Sequence, residues 1–279
     1  DAEILKEAAY EAPTQMARFA FCRLTKYSYP APWERALCYR TYKCGWKEGM
    51  TTEDVIEFCR EMIAVQGPFA WEAVEILAGA AKARGAVLIH ISTDYIFDGS
   101  SSRPYREDAE ASPLSVYGRS KLAGELAVRA SGARHMIIRT SWLYSRYGKN
   151  FVKTILKKSE EQPLLKVVSD QVGTPTYAGD LAEFILTLLE PENLEKTGTY
   201  NYTDEGVCSW YDLACEVCEL SGNLCEVVPC ETGEYPVKAA RPHYSVLDKT
   251  KIKNTYQIEI PYWEDSLKEC ISQLVSMSF

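Results

Sequence analysis

From Trp71 onward, apolar runs of strand length alternate with segments of helical period, and that alternation admits few architectures. Trp71–Arg84 places Val74, Leu77, Ala78 and Ala81 at helical spacing, and Gly85 ends it by accepting a left-handed backbone. Ala86–Ile91 then reads as a strand covered on both faces, as strands of parallel sheets are. Ser92–Pro113 reads as a loop, Ser115–Ser131 as a helix closed by Gly132, and Met136–Arg139 as the next strand. A helix over Asn150–Ser159, a strand over Leu164–Ser169 and a helix over Gly179–Leu189, ending before Pro191, continue the pattern. A strand at Gly198–Thr203, a helix at Trp210–Leu220, a strand at Cys225–Pro229 and a helix after Pro261 complete it. The expected fold is α/β: a Rossmann-like, doubly wound parallel sheet over residues 1–165, with a smaller C-terminal α/β substrate-binding subdomain over most of 166–279.

The first 65 residues break the pattern. Tyr27–Trp46 crowds Tyr, Trp, Cys, Pro and Arg together with no period of 2 or 3.6. A dinucleotide-binding domain opens with an apolar strand running into a Gly-rich turn at a helix N-terminus. Gly45 and Gly49 follow no such strand and have no third glycine at suitable spacing, so they read as a plain turn.

A net charge of −8 argues against a non-specific grip on nucleic acid, which needs clustered Lys and Arg. No apolar run reaches the ~18–20 residues of a membrane helix, and the first residues lack the order of a signal peptide. Ten cysteines raise the question of a metal or of disulfides. Cys215 and Cys218 have ligand-like spacing, but they lie on an amphipathic helix with no His nearby. They read as buried free thiols in a cytoplasmic protein that binds no metal.

Tyr117-Gly118-Arg119-Ser120-Lys121 sits at the front of a helix, where residues four apart share a face. A phenol with pKa about 10 is a poor acid–base catalyst at neutral pH; a neighbouring ammonium brings it toward the working range. Alone, this spacing is common. Ser92-Thr93-Asp94-Tyr95, however, lies where a strand ends, and ligands gather at the carboxyl ends of strands in open α/β sheets. A hydroxyl there can hold a carbonyl oxygen within reach of the Tyr117 phenol.

Ser92-Thr93-Asp94-Tyr95-Ile96-Phe97-Asp98-Gly99, the Tyr117–Lys121 segment and Arg139-Thr140-Ser141-Trp142-Leu143-Tyr144 together resemble the dTDP-4-dehydrorhamnose reductase family of extended short-chain dehydrogenases/reductases. Asn150-Phe151-Val152, Asp170–Thr176, Ala240-Arg241-Pro242 and Ser245–Asp248 extend the resemblance, which covers roughly three quarters of the chain. It implies reduction of the 4-keto group of dTDP-4-dehydro-L-rhamnose, or a similar nucleotide sugar, by NADPH or NADH. Tyr117 is then the proton donor, Lys121 tunes it and holds the nicotinamide ribose, and Thr93 orients the keto oxygen. Ser92, Thr140 and Ser141 border the cofactor. Asp94, Tyr95, Trp142, Asn150, Gln171 and Arg241 face the substrate, Arg241 being suited to a pyrophosphate by its fork of donors. Trp142 also fits a plain core position. A homodimer is the assembly the resemblance allows, with no nucleic-acid or membrane partner.

The family opens with a Gly-x-x-Gly-x-x-Gly turn and carries an Asn-Ala-Ala segment beside the adenine ribose; neither is present here. An altered reading frame accounts for this, as does loss of the fingerprint with Asp1–Arg18 kept as a remnant helix. Two other readings stay open: a non-catalytic regulatory protein on the same scaffold, like the subunit associated with methionine adenosyltransferase, and an extended-family epimerase or dehydratase.

Overall fold

The computed structural model describes residues 70–234 and 241–276. The plain turn expected at Gly45 and Gly49 and the helix considered for Asp1–Arg18 lie outside the described residues. The chain divides into two compact units, residues 1–88 with 120–135 and residues 89–119 with 136–279.

In the first unit, helix α1 (Ala70–Arg84) ends at Gly85, φ 65°, as the sequence predicts. Its buried side chains are Val74, Ile76 and Ala78, so Ile76 takes the place expected for Leu77. The greater part of helix α2 (Val116–Ser131) also belongs here, closed by Gly132 at φ 68°.

The second unit holds most of the sheet, from Ile89 in β1 and Met136 in β2 onward. Strands β1 (Val87–Thr93), β2 (Arg134–Thr140) and β7 (Gly198–Asn201) lie in the order β1-β2-β7. β2 and β7 are parallel, with Met136 opposite Gly198 and Arg139 opposite Asn201. Met136, Ile137 and Ile138 have no exposed surface, as a central parallel strand covered on both faces requires. β1 runs further than the expected Ile91: Ser92 and Thr93 belong to the strand rather than to a loop. Their backbones continue the ladder, so their hydroxyls are fixed at its carboxyl end.

Smaller ladders complete this unit. β3 (Leu143–Tyr144) pairs in parallel with β6 (Thr176–Tyr177), and β4 (Leu164–Val168) with β9 (Glu226–Cys230), while β5 (Val172–Gly173) runs antiparallel to β8 (Cys208–Ser209). The helices are α3 (Phe151–Glu161), α4 (Ala178–Thr187), α5 (Pro191–Leu194), α6 (Trp210–Ser221), α7 (Thr250–Tyr256) and α8 (Trp263–Ser276). α5 and α7 escape the sequence reading because four and seven residues show too little periodicity.

One core joins α3, α6 and α8 to β4. α3 contributes Val152 and Ile155; α6 contributes Leu213, Ala214, Val217 and Cys218; α8 contributes Leu267, Cys270 and Ile271. Each fully buried Leu or Ile side chain is worth about 1.5–3 kcal/mol. α6 starts on a capping box, Ser209 with Asp212, and stops at Gly222, φ 72°, whose N–H reaches the Cys218 and Glu219 carbonyls. Six cysteines lie among the described residues, all as free thiols, with Cys208, Cys218, Cys230 and Cys270 buried. Burial pushes the Cys270 thiol up to about 11, so it behaves as a small apolar side chain. No described helix is long and apolar enough to cross a membrane.

Candidate active site

β1 ends in a tight turn that its own side chains build. Thr93, extended at φ −143° and ψ 156°, caps a one-turn 3₁₀ helix over Asp94–Ile96 by accepting the Tyr95 N–H at 3.2 Å. The same hydroxyl donates its proton to Asp94 Oδ1 at 2.9 Å. The first turn of α2 then presses onto this corner. Ser115 Oγ accepts the Gly118 N–H at 3.0 Å, and a Cβ on Gly118 would strike the Tyr95 carbonyl oxygen and approach Pro113 Cβ to 2.9 Å. Only glycine admits so close an approach.

That approach brings Tyr117 onto Thr93. The phenol is hydrogen-bonded to the Thr93 side chain, and its ring meets Tyr95 edge-on, centroids 5.6 Å apart at 77°. Thr93 has a single hydroxyl proton, committed to Asp94, so the phenol donates and Thr93 accepts. Tyr117 is 51% exposed and therefore reachable. Desolvation raises its pKa, Thr93 lowers it and the Asp94 charge raises it again; the net effect is upward. Tyr/Lys spacing predicts a lowered phenol; here Tyr117 is a protonated donor at neutral pH. Lys121 stands one turn further along α2, its ammonium pushed down by burial against the opposing pull of Glu125.

Asp94 is the least solvated member of the corner, at 1% exposure. Burial raises its carboxyl to about 6, although hydroxyls of Ser245 and Thr93 ease the charge. Its Oδ2 finds no hydrogen-bond partner among the described residues. Ser245, part of a family motif but given no role from the sequence, arrives on a segment that zips onto β5: Val172 N–H reaches the His243 carbonyl at 2.7 Å, and Ser245 N–H reaches the Val172 carbonyl at 2.8 Å. Pro242 packs where Gly99, φ 82°, has no side chain; a Cβ there would come 2.5 Å from Pro242 Cβ. This fastening carries Arg241 to the corner, where its charge acts on the Tyr95 phenol.

The end of β2 is equally specific. Thr140 and Ser141 are buried, with Thr140 Oγ1 donating to Thr176 Oγ1 at 3.2 Å and Ser141 Oγ to the Thr174 carbonyl at 2.6 Å. Trp142 follows with φ 48°, a left-handed conformation that costs a bulky residue about 1–3 kcal/mol and persists only where its surroundings enforce it. Its ring stacks on Trp210, centroids 3.5 Å apart and planes 11° from parallel. Trp142 is half-buried and packs against the core of α3, α6 and α8 while holding this strained pose, so a core position fits it as well.

Asn150 and Gln171 are occupied locally. Asn150 caps α3, accepting the Lys153 N–H at 3.0 Å while its amide donates to the Ser145 carbonyl at 2.6 Å. Gln171, buried, donates to Thr232 Oγ1 at 2.9 Å. Thus the structure gathers Thr93, Asp94, Tyr95, Tyr117, Arg241 and Ser245, while these two amides serve other contacts. Ser92, buried at 3%, shares the strand end with Thr93. No group of three His, Cys, Asp or Glu among the described residues is arranged to hold a metal.

The described residues of the second unit fit the reducing end of a nicotinamide dinucleotide through a reachable phenol that already donates a hydrogen bond. The stretch in which such a domain carries its phosphate-binding turn, and in which this sequence lacks the glycine pattern, lies outside the described residues.

Residues 67–276 match the RmlD substrate binding domain family. The chain is 40% identical over 212 residues to a dTDP-4-dehydrorhamnose reductase of Sinorhizobium fredii, covering 73% of this chain and 72% of that protein. The crystal structure of a dTDP-4-dehydrorhamnose reductase from Clostridium acetobutylicum superposes with a TM-score of 0.72 at 35% identity, covering 95% of this chain and 97% of that one. A dTDP-4-dehydrorhamnose reductase from Bacillus anthracis, solved in complex with NADP, gives a TM-score of 0.72 at 30% identity over 88% and 89% of the two chains.

Proposed function

Since the chain belongs to the dTDP-4-dehydrorhamnose reductase family, we propose that it reduces the 4-keto group of dTDP-4-dehydro-L-rhamnose with NADPH or NADH, giving dTDP-L-rhamnose. The observation that carries this reading is the hydrogen bond between the Tyr117 phenol and Thr93 at the carboxyl end of β1. The cofactor, when bound, supplies the hydride; Tyr117 and Lys121 are the described residues that hold its nicotinamide end.

Tyr117 gives its proton to the sugar oxygen as negative charge develops there, the point at which a positioned donor contributes most. Thr93 serves on both sides of that event. Before transfer its proton rests on Asp94 and it accepts from the phenol. Afterwards a rotation of one hydroxyl turns the proton onto the phenolate, which is the sense in which Thr93 lowers the pKa of Tyr117. Asp94 is the resting place of the Thr93 proton. Trp142 offers a ring to the sugar, Arg241 a bidentate fork to the pyrophosphate, and Ser92, Thr140 and Ser141 frame the strand ends. Asn150 and Gln171 act on the substrate side through the backbone they fix. A homodimer working in the cytoplasm is part of the same proposal.

Purified protein mixed with NADPH and dTDP-4-dehydro-L-rhamnose is expected to consume the reduced nicotinamide and yield dTDP-L-rhamnose by NMR. Retention of the keto sugar alongside tight binding of dTDP-L-rhamnose would instead support the regulatory reading.

A further inference from the structure

Two helix starts converge on Trp142. Ser209 caps α6 through a capping box with Asp212, Oγ accepting the Asp212 N–H at 3.1 Å and the Asp212 carboxylate accepting the Ser209 N–H at 2.8 Å. The first residue after that cap is Trp210, so the cap fixes where its indole stands. Asn150 caps α3 through its side chain alone, accepting the Lys153 N–H, and the first residue after it is Phe151. The Phe151 ring lies 4.6 Å from that of Trp210 at 53°, and the Trp210 indole lies flat on Trp142. Gly173 completes the seat: a Cβ there would come within 2.7 Å of Trp142 Cε2 and 2.8 Å of Ser245 Oγ.

A left-handed tryptophan relaxes if it is released, so something has to hold it. The backbone is held on either side, by the Ser141 hydroxyl on the Thr174 carbonyl at 2.6 Å and by the β3–β6 ladder that starts at Leu143, and the Thr176 N–H reaches the Trp142 carbonyl at 3.4 Å. The ring contacts fix where the side chain stands. We infer that Trp210 is a positioning residue: stacked on Trp142 and backed by Phe151, it holds the Trp142 ring in the strained pose that receives the sugar of the nucleotide-sugar substrate. This rests on the proposed function for what the ring receives. Asn150 then acts two steps removed, through Phe151 and Trp210, and Gly173 acts by leaving room.

The test uses the full chain, with dTDP-L-rhamnose titrated by calorimetry and the far-UV exciton couplet of two stacked indoles read by circular dichroism. The couplet is expected in the wild type and is expected to vanish in both W142F and W210F, which assigns it to this pair. Trp210→Leu is expected to weaken dTDP-L-rhamnose binding about tenfold, and Trp210→Phe, which keeps a stacking ring, to stay within about threefold of wild type. Gly173→Ala, with Trp210 intact, is expected to distort the couplet and weaken binding as W210L does. Binding by W210L equal to wild type, or binding by W210F as weak as by W210L, overturns the role of Trp210 and leaves the proposed reaction standing. A wild type that shows the couplet but binds no dTDP-L-rhamnose overturns both the substrate assignment and this role.

Discussion

Replacing Asp94 by Asn is expected to make the protein more stable and less active. The carboxyl is almost wholly buried, one oxygen lacks a partner among the described residues, and burial raises it from 3.8 to about 6. That gap, at about 1.4 kcal/mol for each tenfold of proton affinity, amounts to about 3 kcal/mol. Its sign follows from linkage. The folded chain holds this proton more tightly than the unfolded chain, so between about pH 4 and pH 6 the native state binds more protons and stability falls as pH rises. Above that window the full cost of the buried charge is present. An Asn side chain carries no charge, but its two N–H donors need the Thr93 and Ser245 hydroxyls as acceptors, and imperfect pairing returns about 1–2 kcal/mol. The net gain at neutral pH is then about 1–2 kcal/mol, or roughly 2–6 °C in Tm for a chain of this size. Thermal melts of both proteins across the acid range measure it: D94N is ahead at neutral pH, and the lead shrinks toward pH 4. Turnover falls because the Thr93 proton loses its anionic resting place. A D94N protein no more stable than wild type at neutral pH, or ahead by the same margin at every pH, refutes the reasoning.

Asp204, with no exposed surface, is raised to about 8, first by burial, although the Tyr177 N–H and Lys249 favour its charge. Its folded pKa also lies above the ordinary 3.8, so stability is lost as pH rises from about 4 to about 8, and denaturant melts of D204N across that range should lack the loss. Gly118→Ala forces a methyl group into the Tyr95 carbonyl; overpacking of this kind costs about 1–3 kcal/mol, and urea midpoints should record it. Because the shift moves Tyr117 off Thr93, activity should fall further than stability alone accounts for, and activity retained at the wild-type level would count against the assigned corner.

The sheet and its covering helices were legible because their periodicities are long and local: Met136–Ile138 declares a buried strand, and Leu213, Ala214, Val217 and Cys218 declare one face of a helix. The meeting of Thr93 with Tyr117 was legible too, since a strand end and the next helix start are neighbours in any open α/β sheet. Ser245 was not, because it reaches Asp94 only through pairing of its segment with β5, a long-range contact without local signal. Asn150 shows the opposite case. Read as a substrate contact by resemblance, it also stands directly before an apolar helix, where Asn is a favoured cap, and the hydrogen bonds of its side chain are those of a cap. The strain at Trp142 has no sequence signature, since nothing in the residue type announces a positive φ.

Tyr117→Phe isolates the proton from everything else at the corner, because it removes one hydroxyl from a half-exposed ring and leaves the packing in place. Single-turnover reduction of dTDP-4-dehydro-L-rhamnose, read beside calorimetric binding of dTDP-L-rhamnose, separates chemistry from recognition. The rate is expected to fall about 10²–10⁴-fold while binding stays within a few-fold of wild type. A Y117F protein that reduces the sugar at the wild-type rate would show that the proton comes from elsewhere.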